Sequence, residues 1–175
     1  MTDQLTLDSY WDPLLPRAAV AEEIVGATLK REIKNIIKSY TGWFDPLSEL
    51  IQNALDAVDD RKKKEKVYEP KIWIEINLVD NYVCVTDNGI GFTSEQLAEF
   101  LKPNVSFKGG GTRGDKGVGA TYLAYGFNFL QFGTKTSDFS YVGNLQGGRE
   151  WLEDEKNVLS RPKVKPTEPI HKVFN

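Results

Sequence analysis

The sequence is poor in cysteine and histidine: among its 175 residues each occurs once, as Cys84 and His171. A single cysteine excludes an internal disulfide framework, and a reducing, cytoplasmic setting is the simplest expectation. Cys84 stands in the segment YVCVTD, which has the pattern of a β-strand rather than the setting of a reactive thiol.

Long apolar runs and a surplus of basic residues are also missing. Nowhere do about 18 apolar residues follow one another, and residues 1–16 lack the basic start and apolar run of a signal peptide. We therefore expect neither a membrane span nor secretion. The net charge of −3 gives no general attraction for nucleic acid, although a partner domain could supply one.

The composition is that of an ordinary globular domain, with 40% hydrophobic and 27% charged residues. A chain of 175 residues suits one domain with a sizeable core. We divide it into an N-terminal arm at residues 1–16 and a domain at residues 17–175. The arm contains Trp11, Pro13 and Pro16, which predicts an extended segment that leans on another surface through its aromatic groups.

Hydrophobic spacing predicts two helices in the first third of the domain. Apolar residues recur at helical spacing over residues 17–40, and Gly42 ends that helix. Asp45 is the expected N-cap of the next helix, with Pro46 in its first turn.

The rest of the domain is predicted to mix strands with short helices. Residues 71–79 alternate between apolar and polar, which predicts a strand, and Asp80-Asn81 make a turn into a second strand that ends at Asp87. Thr93 and Gln96 have the spacing of a capping box. ATYLAYGF is then expected to form a helix and FNFLQFGT a strand, and the tail after Gly143 largely irregular structure that includes one strand.

The helix that contains the segment ELIQNALDA has two distinct faces. At about 100° per residue, Glu49, Asn53 and Asp56 fall within an arc of roughly 60°. Apolar residues gather on the opposite side, as a helix that packs on a sheet requires. Taken alone, the polar face is either solvated or part of a site.

A glycine-rich run follows Pro103, with the sequence FKGGGTRGDKGVG. Gly109, Gly111 and Gly114 match a dinucleotide-binding pattern, but the run does not join a strand directly to a helix, and the common NTPase phosphate loop is absent. Glycine lets a chain approach phosphate closely, so the run is either a phosphate lid or a mobile surface loop.

Three pieces in a fixed order carry a resemblance to a known family. Glu49-x-x-x-Asn53-Ala54-x-Asp56, then Asp87-Asn88-Gly89-Ile90-Gly91, then Gly114-x-x-Gly117-x-Gly119 resemble the N, G1 and G2 boxes of the GHKL ATPase superfamily. The resemblance covers about residues 20 to 135. Among the branches, the chain looks closest to the heat-shock chaperones, the MutL mismatch-repair proteins and the microrchidia proteins.

The resemblance implies a fold, a ligand and a set of roles. The fold is the Bergerat-type two-layer α/β sandwich, with helices on one face of a mixed β-sheet, and the ligands are ATP and Mg²⁺. Glu49 would be the catalytic base, Asn53 the magnesium ligand, and Asp87 the acceptor for the adenine amine, while Asp56 either helps through a water or solvates the helix. Gly89 and Gly91 would let the chain turn beneath the base. The residues expected to hold the phosphates are Lys108, Arg113, Gly114, Lys116, Gly117, Val118 and Gly119.

Two family features have no clear position in the sequence. Family members usually have a threonine on a late strand that helps to bind adenine, and Thr134 and Thr167 are the candidates. Many members also use a cation from a following domain, so the chain is expected to be the N-terminal part of a larger protein.

Three functions remain open from the sequence. The leading hypothesis is an ATPase whose nucleotide state opens and closes a homodimer, with the arm swapping onto the neighbouring subunit. The alternative is a histidine-kinase-type catalytic domain, although His171 lies in a proline-rich tail that suits a phosphoacceptor poorly. The third is a module that binds ATP without hydrolysing it. The client, whether protein or DNA, is not indicated.

Overall fold

The structure is a computed structural model that describes residues 11–14, 22–104 and 118–169. Five helices and five strands are defined within these ranges. In chain order they are α1 (Glu22–Lys38), α2 (Asp45–Lys64), β1 (Ile72–Asn77), β2 (Tyr82–Asp87), α3 (Ser94–Glu99), α4 (Gly119–Tyr125), β3 (Phe129–Lys135), β4 (Ser140–Gln146), α5 (Gly148–Glu153) and β5 (Val164–Pro166).

The strands form two antiparallel sheets, one of β1 and β2 and one in the order β3-β4-β5. The helices α1, α4 and α5 pack on one another, and α2 packs on β2 and α4. The α/β class is therefore confirmed. All strand pairs among the described residues are antiparallel, so the parallel pairing that a mixed sheet requires does not occur in that part of the chain.

The core lies between the helices and the β3-β4-β5 sheet. Its largest side chains come from α1, α3, α4, α5 and the second sheet, together with the segment at residues 11–14. The central members are Trp11, Ile33, Leu97, Leu101, Tyr125, Leu145, Trp151 and Val164. This core joins both ends of the described chain to the helices around the site.

The described part of the arm is buried in its own subunit. Trp11 is 7% exposed and Leu14 4% exposed, and the backbone of Trp11 pairs with Val164, the first residue of β5. The swap of the arm onto a neighbouring subunit is expected because Trp11 and Leu14-Leu15 would otherwise be exposed. For Trp11 and Leu14 that expectation is wrong, and Leu15 lies outside the described residues. The sequence of residues 11–14 could not indicate what they contact, since Arg161 and Val164 are about 150 residues further along the chain.

The hairpin of β1 and β2 has the predicted turn, and part of its apolar face is exposed. Asn81 takes a positive φ of 53°, and the side chain of Asn77 accepts the backbone N–H of Val79 and Asp80. Ile74 and Ile76 are about half exposed, however. Alternation therefore predicted the strand correctly without predicting what covers its apolar face.

The region after Gly143 is more ordered than its sequence suggests. It contains the end of β4, the helix α5 and the strand β5. Gly147 starts α5 from a left-handed conformation, with φ of 70°. The helix buries Trp151 and Leu152 although only six residues long, which is too short for a periodic signal.

The other short helices agree with the predictions. Thr93 and Gln96 form both bonds of the capping box at the start of α3. The helix predicted from ATYLAYGF is α4, which ends at Tyr125. No helix in the described ranges is both long enough and apolar enough to span a membrane.

Candidate functional site

The helix α2 presents the three polar residues expected to form a site. Glu49 and Asp56 are half-buried, whereas Asn53 is exposed. Asp56 Oδ1 accepts a hydrogen bond from Gln52 Nε2 at 2.9 Å, within the same helix. Asp56 is thus held by its own helix, its role at the site stays a prediction, and Asn53 is the most exposed of the three.

Glu49 is held between two other elements. Its Oε1 accepts a hydrogen bond from Tyr40 Oη at 2.9 Å, and Tyr40 lies just after the end of α1. Its Oε2 lies against Gly119 at the start of α4, where an added Cβ would collide with it. Glycine at position 119 therefore lets the third box approach the carboxylate of the first.

Asp87 ends β2 and is half-buried. Its Oδ1 accepts the backbone N–H of Gly89 at 2.8 Å. Burial raises the pKa of this carboxyl, and the Gly89 N–H acts in the opposite direction. A carboxylate whose charge is poorly solvated gains from an additional hydrogen-bond donor, such as an amine of a ligand.

The loop after Asp87 lies directly on α2. Ile90 N donates to Ala57 O at 3.0 Å. A Cβ at Gly89 would lie 2.5 Å from the carbonyl carbon of Ala57 and 2.6 Å from Asp87 Oδ1. The first glycine of the box is therefore required by the close approach of the loop to the helix.

Asn88 fixes that loop through both its side chain and its backbone carbonyl. Its Oδ1 accepts from Tyr68 Oη and from Lys71 N, each at 2.7 Å. Its carbonyl oxygen accepts from Arg61 Nη1 at 2.8 Å, and the Arg61 guanidinium lies over the Tyr68 ring, 4.8 Å from its centroid. Asn88 is thus a structural residue of the loop.

The same loop reaches β3 at its other end. Gly91 has a φ of 70°, and a Cβ there would lie 2.7 Å from Lys135 O and 3.0 Å from Thr134 Oγ1. The buried hydroxyl of Thr134 accepts the N–H of Phe92 at 2.7 Å. Of the two threonine candidates, Thr134 is therefore beside the Asp87 loop, while Thr167 pairs with Val142 of β4.

The two halves of α2 thus contact two different boxes. Glu49 meets Gly119 near the start of the helix, and Ala57 meets Gly89 eight residues later. At 1.5 Å per residue these contacts are roughly 12 Å apart along the helix. The exposed side chain of Asn53 lies between them.

Five of the seven residues expected to hold the phosphates fall in the part of the chain that is not described. Lys108, Arg113, Gly114, Lys116 and Gly117 lie outside the described residues. Val118 and Gly119 are described, and both are half-buried at the start of α4. The roles assigned to this segment remain predictions.

In the part of the chain that the structure describes, no cluster of three or more His, Cys, Asp or Glu side chains could hold a metal ion. Asn53 remains the predicted magnesium ligand. Magnesium binds few protein oxygens and retains waters or phosphate oxygens, so one amide oxygen suits it.

Three contributors to the site were missed by sequence reasoning. Tyr40 contacts Glu49 from the end of α1, and Tyr68 and Arg61 brace the Asp87 loop. None of these residues belongs to a recognisable motif. Each acts through a contact between elements, which spacing along the chain does not reveal.

The family model for histidine kinase-, DNA gyrase B- and HSP90-like ATPases matches residues 44–130. No curated protein matches the chain. The matched segment extends from the residue before α2 into the start of β3. It therefore contains Glu49, Asn53, the Asp87 loop and Gly119.

Proposed function

The chain belongs to the GHKL ATPase superfamily and carries an ATP-binding module of that type, and from this premise we propose that it hydrolyses ATP with Mg²⁺ bound. The observation that carries the proposal is the position of α2. Its first half contacts Gly119 and its second half contacts Gly89, so one helix connects the box expected at the adenine to the box expected at the phosphates.

Adenine would bind at the Asp87 end of this helix. The half-buried carboxylate has an oxygen that can accept the exocyclic amine, whereas guanine has a carbonyl at that position and could not donate. Gly89 and Gly91 let the loop lie directly against the backbone of Ala57 and Lys135, which fixes the position of Asp87 at this end of the helix. Thr134, beside Gly91, is the adenine-side threonine in this proposal.

Magnesium would be held by Asn53 together with phosphate oxygens and water. The amide is exposed and lies between the two ends of the proposed nucleotide site. When bound, the ion would neutralise charge that develops on the phosphates.

Glu49 would act as the general base. Tyr40 occupies its Oε1, and the carboxylate can take a proton from a water whose oxygen attacks the γ-phosphorus. The bond from that phosphorus to the β–γ bridging oxygen breaks, and ADP and phosphate are released. A kinase of the same superfamily would instead transfer the phosphoryl group to a histidine of a partner.

Glu49→Gln tests this assignment. The amide keeps the size of the side chain but has no basicity, so hydrolysis should fall by roughly 10²–10⁴-fold while ATP affinity stays the same. Phosphate release and calorimetric affinity should be measured side by side. Glu153→Gln is the matched control, since Glu153 is an exposed carboxylate at the end of α5.

Hydrolysis by Glu49→Gln at the wild-type rate would remove Glu49 from the mechanism. Phosphate transfer to a partner histidine, with no free phosphate released, would instead support the kinase alternative. Binding of ATP with neither reaction would leave a module that binds nucleotide only.

The same proposal places the domain in a larger cytoplasmic protein that dimerises when ATP is bound. Superfamily membership supports the nucleotide-dependent dimer. The free thiol of Cys84 supports a reducing, cytoplasmic setting. Sedimentation with a non-hydrolysable ATP analogue would detect the dimer.

A further inference from the structure

Tyr40 is anchored at a fixed point just beyond α1. Its backbone N–H donates to Ile37 O at 3.1 Å, which closes the last turn of the helix. Two residues later, Gly42 N donates to Asp45 Oδ2 at the start of α2. The connection between α1 and α2 is therefore short and bonded at both ends, so the direction of the Tyr40 side chain is constrained.

The ring of Tyr40 is fixed by a second aromatic residue. It stacks on Tyr122 of α4, with ring centroids 3.9 Å apart and planes inclined by 5°. Both rings are half-buried. The stack ties the end of α1 to the helix that follows the third box.

The phenol of Tyr40 is a permanent donor. Burial, and next its hydrogen bond to Glu49, raise the pKa of Tyr40 above its ordinary value. The hydroxyl therefore stays protonated throughout the physiological range. Its hydrogen bond to Glu49 Oε1 leaves Oε2 on the side that faces Gly119.

We propose that Tyr40 is a positioning residue for hydrolysis, which holds the Glu49 carboxylate in one orientation against the first turn of α4. The inference rests on the proposed function of Glu49 as the base. A carboxylate on a helix has several rotamers, and a base acts only when its oxygen lies within hydrogen-bond reach of the attacking water. Tyr40 selects one rotamer through Oε1, and the Tyr122 stack fixes Tyr40.

Tyr40→Phe removes the hydroxyl and keeps the stacked ring. We expect turnover at saturating ATP to fall about tenfold, the factor that corresponds to one hydrogen bond to a charged group. ATP affinity should be unchanged, since Tyr40 contacts Glu49 and not the nucleotide in this proposal. Tyr82→Phe is the matched control, because it removes the same kind of tyrosine–glutamate bond, to Glu75, on the β1–β2 hairpin.

A double-mutant cycle separates positioning from a general structural effect. If Tyr40 acts through Glu49, Tyr40→Phe should have no further effect on turnover in a Glu49→Gln background. A structural effect would lower turnover by the same factor in both backgrounds and would also lower the unfolding temperature.

The outcomes also separate this inference from the proposed function. Turnover by Tyr40→Phe that equals or exceeds the wild-type value, with Glu49→Gln inactive, would overturn the positioning role alone. An additive cycle would do the same. Wild-type turnover by Glu49→Gln, or no hydrolysis by the wild type, would overturn both.

Discussion

At the residue scale, Asp87 shows a conflict between stability and ligand binding. Burial raises the pKa of its carboxyl in the folded protein, so the folded state favours the protonated form more than the unfolded state does. The resulting contribution to stability is present at low pH and is lost as the pH rises through the folded-state pKa. At neutral pH, therefore, the ionised carboxylate destabilises the protein without its ligand.

Asp87→Asn should accordingly separate the two properties. The amide lacks the charge that strengthens a bond to the adenine amine, and that loss is worth about 1.5–3 kcal/mol, or roughly a tenfold or larger fall in ATP affinity. The unfolding temperature without nucleotide should stay the same or rise at pH 7. Calorimetry and thermal unfolding measure the two effects.

Asp138→Asn serves as the control for Asp87, because Asp138 is exposed in the turn between β3 and β4. It should change neither property. Unchanged affinity of Asp87→Asn would reject the assignment of Asp87 to adenine. A lower unfolding temperature without nucleotide would show that its bond to Gly89 outweighs the cost of burial.

At the scale of elements, the site depends on how closely the Asp87 loop approaches α2. Gly89→Ala would place a Cβ 2.5 Å from the backbone carbonyl carbon of Ala57. A backbone atom within a helix cannot move aside as the end of a flexible side chain can. We expect a loss of about 1–3 kcal/mol in the free energy of unfolding, as is typical of overpacking. ATP affinity should fall as well, since Asp87 is two residues away.

Gly26→Ala provides a control of the same chemistry in a different environment. Gly26 lies inside α1, and a Cβ there would meet nothing within 4 Å. Alanine should stabilise that helix by about 0.5–1 kcal/mol, because glycine loses more backbone entropy on folding. Urea denaturation of both variants gives the comparison, and equal stability of Gly89→Ala and the wild type would refute the packing argument.

The elements themselves were largely predictable because their signals are local. The stripe of α2, the capping box at Thr93 and the turn at Asn81 each depend on residues within one turn or hairpin. The helix α5 was missed, and the one strand expected in the tail, β5, was not located, since each is short and is defined by its packing on α4 or on the second sheet. The exposure of Ile74 and Ile76 has the same explanation, because alternation in the sequence shows which residues share a face of the strand but not which element packs on that face.

The candidate site follows the same division. Glu49, Asn53, Asp87 and the glycines could be identified because boxes of this kind have fixed spacing. The hydrogen bond from Phe92 N to Thr134 joins residues 42 positions apart, and only the fold brings them together. Tyr40 is nine residues from Glu49, yet no motif includes it, since its role depends on the angle between α1 and α2.

At the scale of the whole molecule, the two ends of the described chain hold each other. Trp11 pairs with Val164 through its backbone, and its Nε1 donates to Tyr141 Oη at 3.3 Å. Asp12 Oδ2 pairs with Arg161 Nε at 2.9 Å, and the two side chains are only 8% and 14% exposed. Arg161 also donates to Leu14 O. Residues 11–14 are thus packed on the domain of their own subunit.

Asp12→Ala tests how much this junction contributes to stability. The substitution leaves the guanidinium of Arg161 buried without its carboxylate, and breaking a buried pair in this way costs about 3–5 kcal/mol. Arg149→Ala is the control, since it breaks an Arg–Glu pair whose side chains are more than half exposed, and such pairs contribute about 0–1 kcal/mol. Urea denaturation should therefore give a much lower midpoint for Asp12→Ala than for Arg149→Ala. Equal midpoints would mean that the Asp12–Arg161 pair contributes no more to stability than an exposed pair does, and that burial of Trp11 and Leu14 holds residues 11–14 in place.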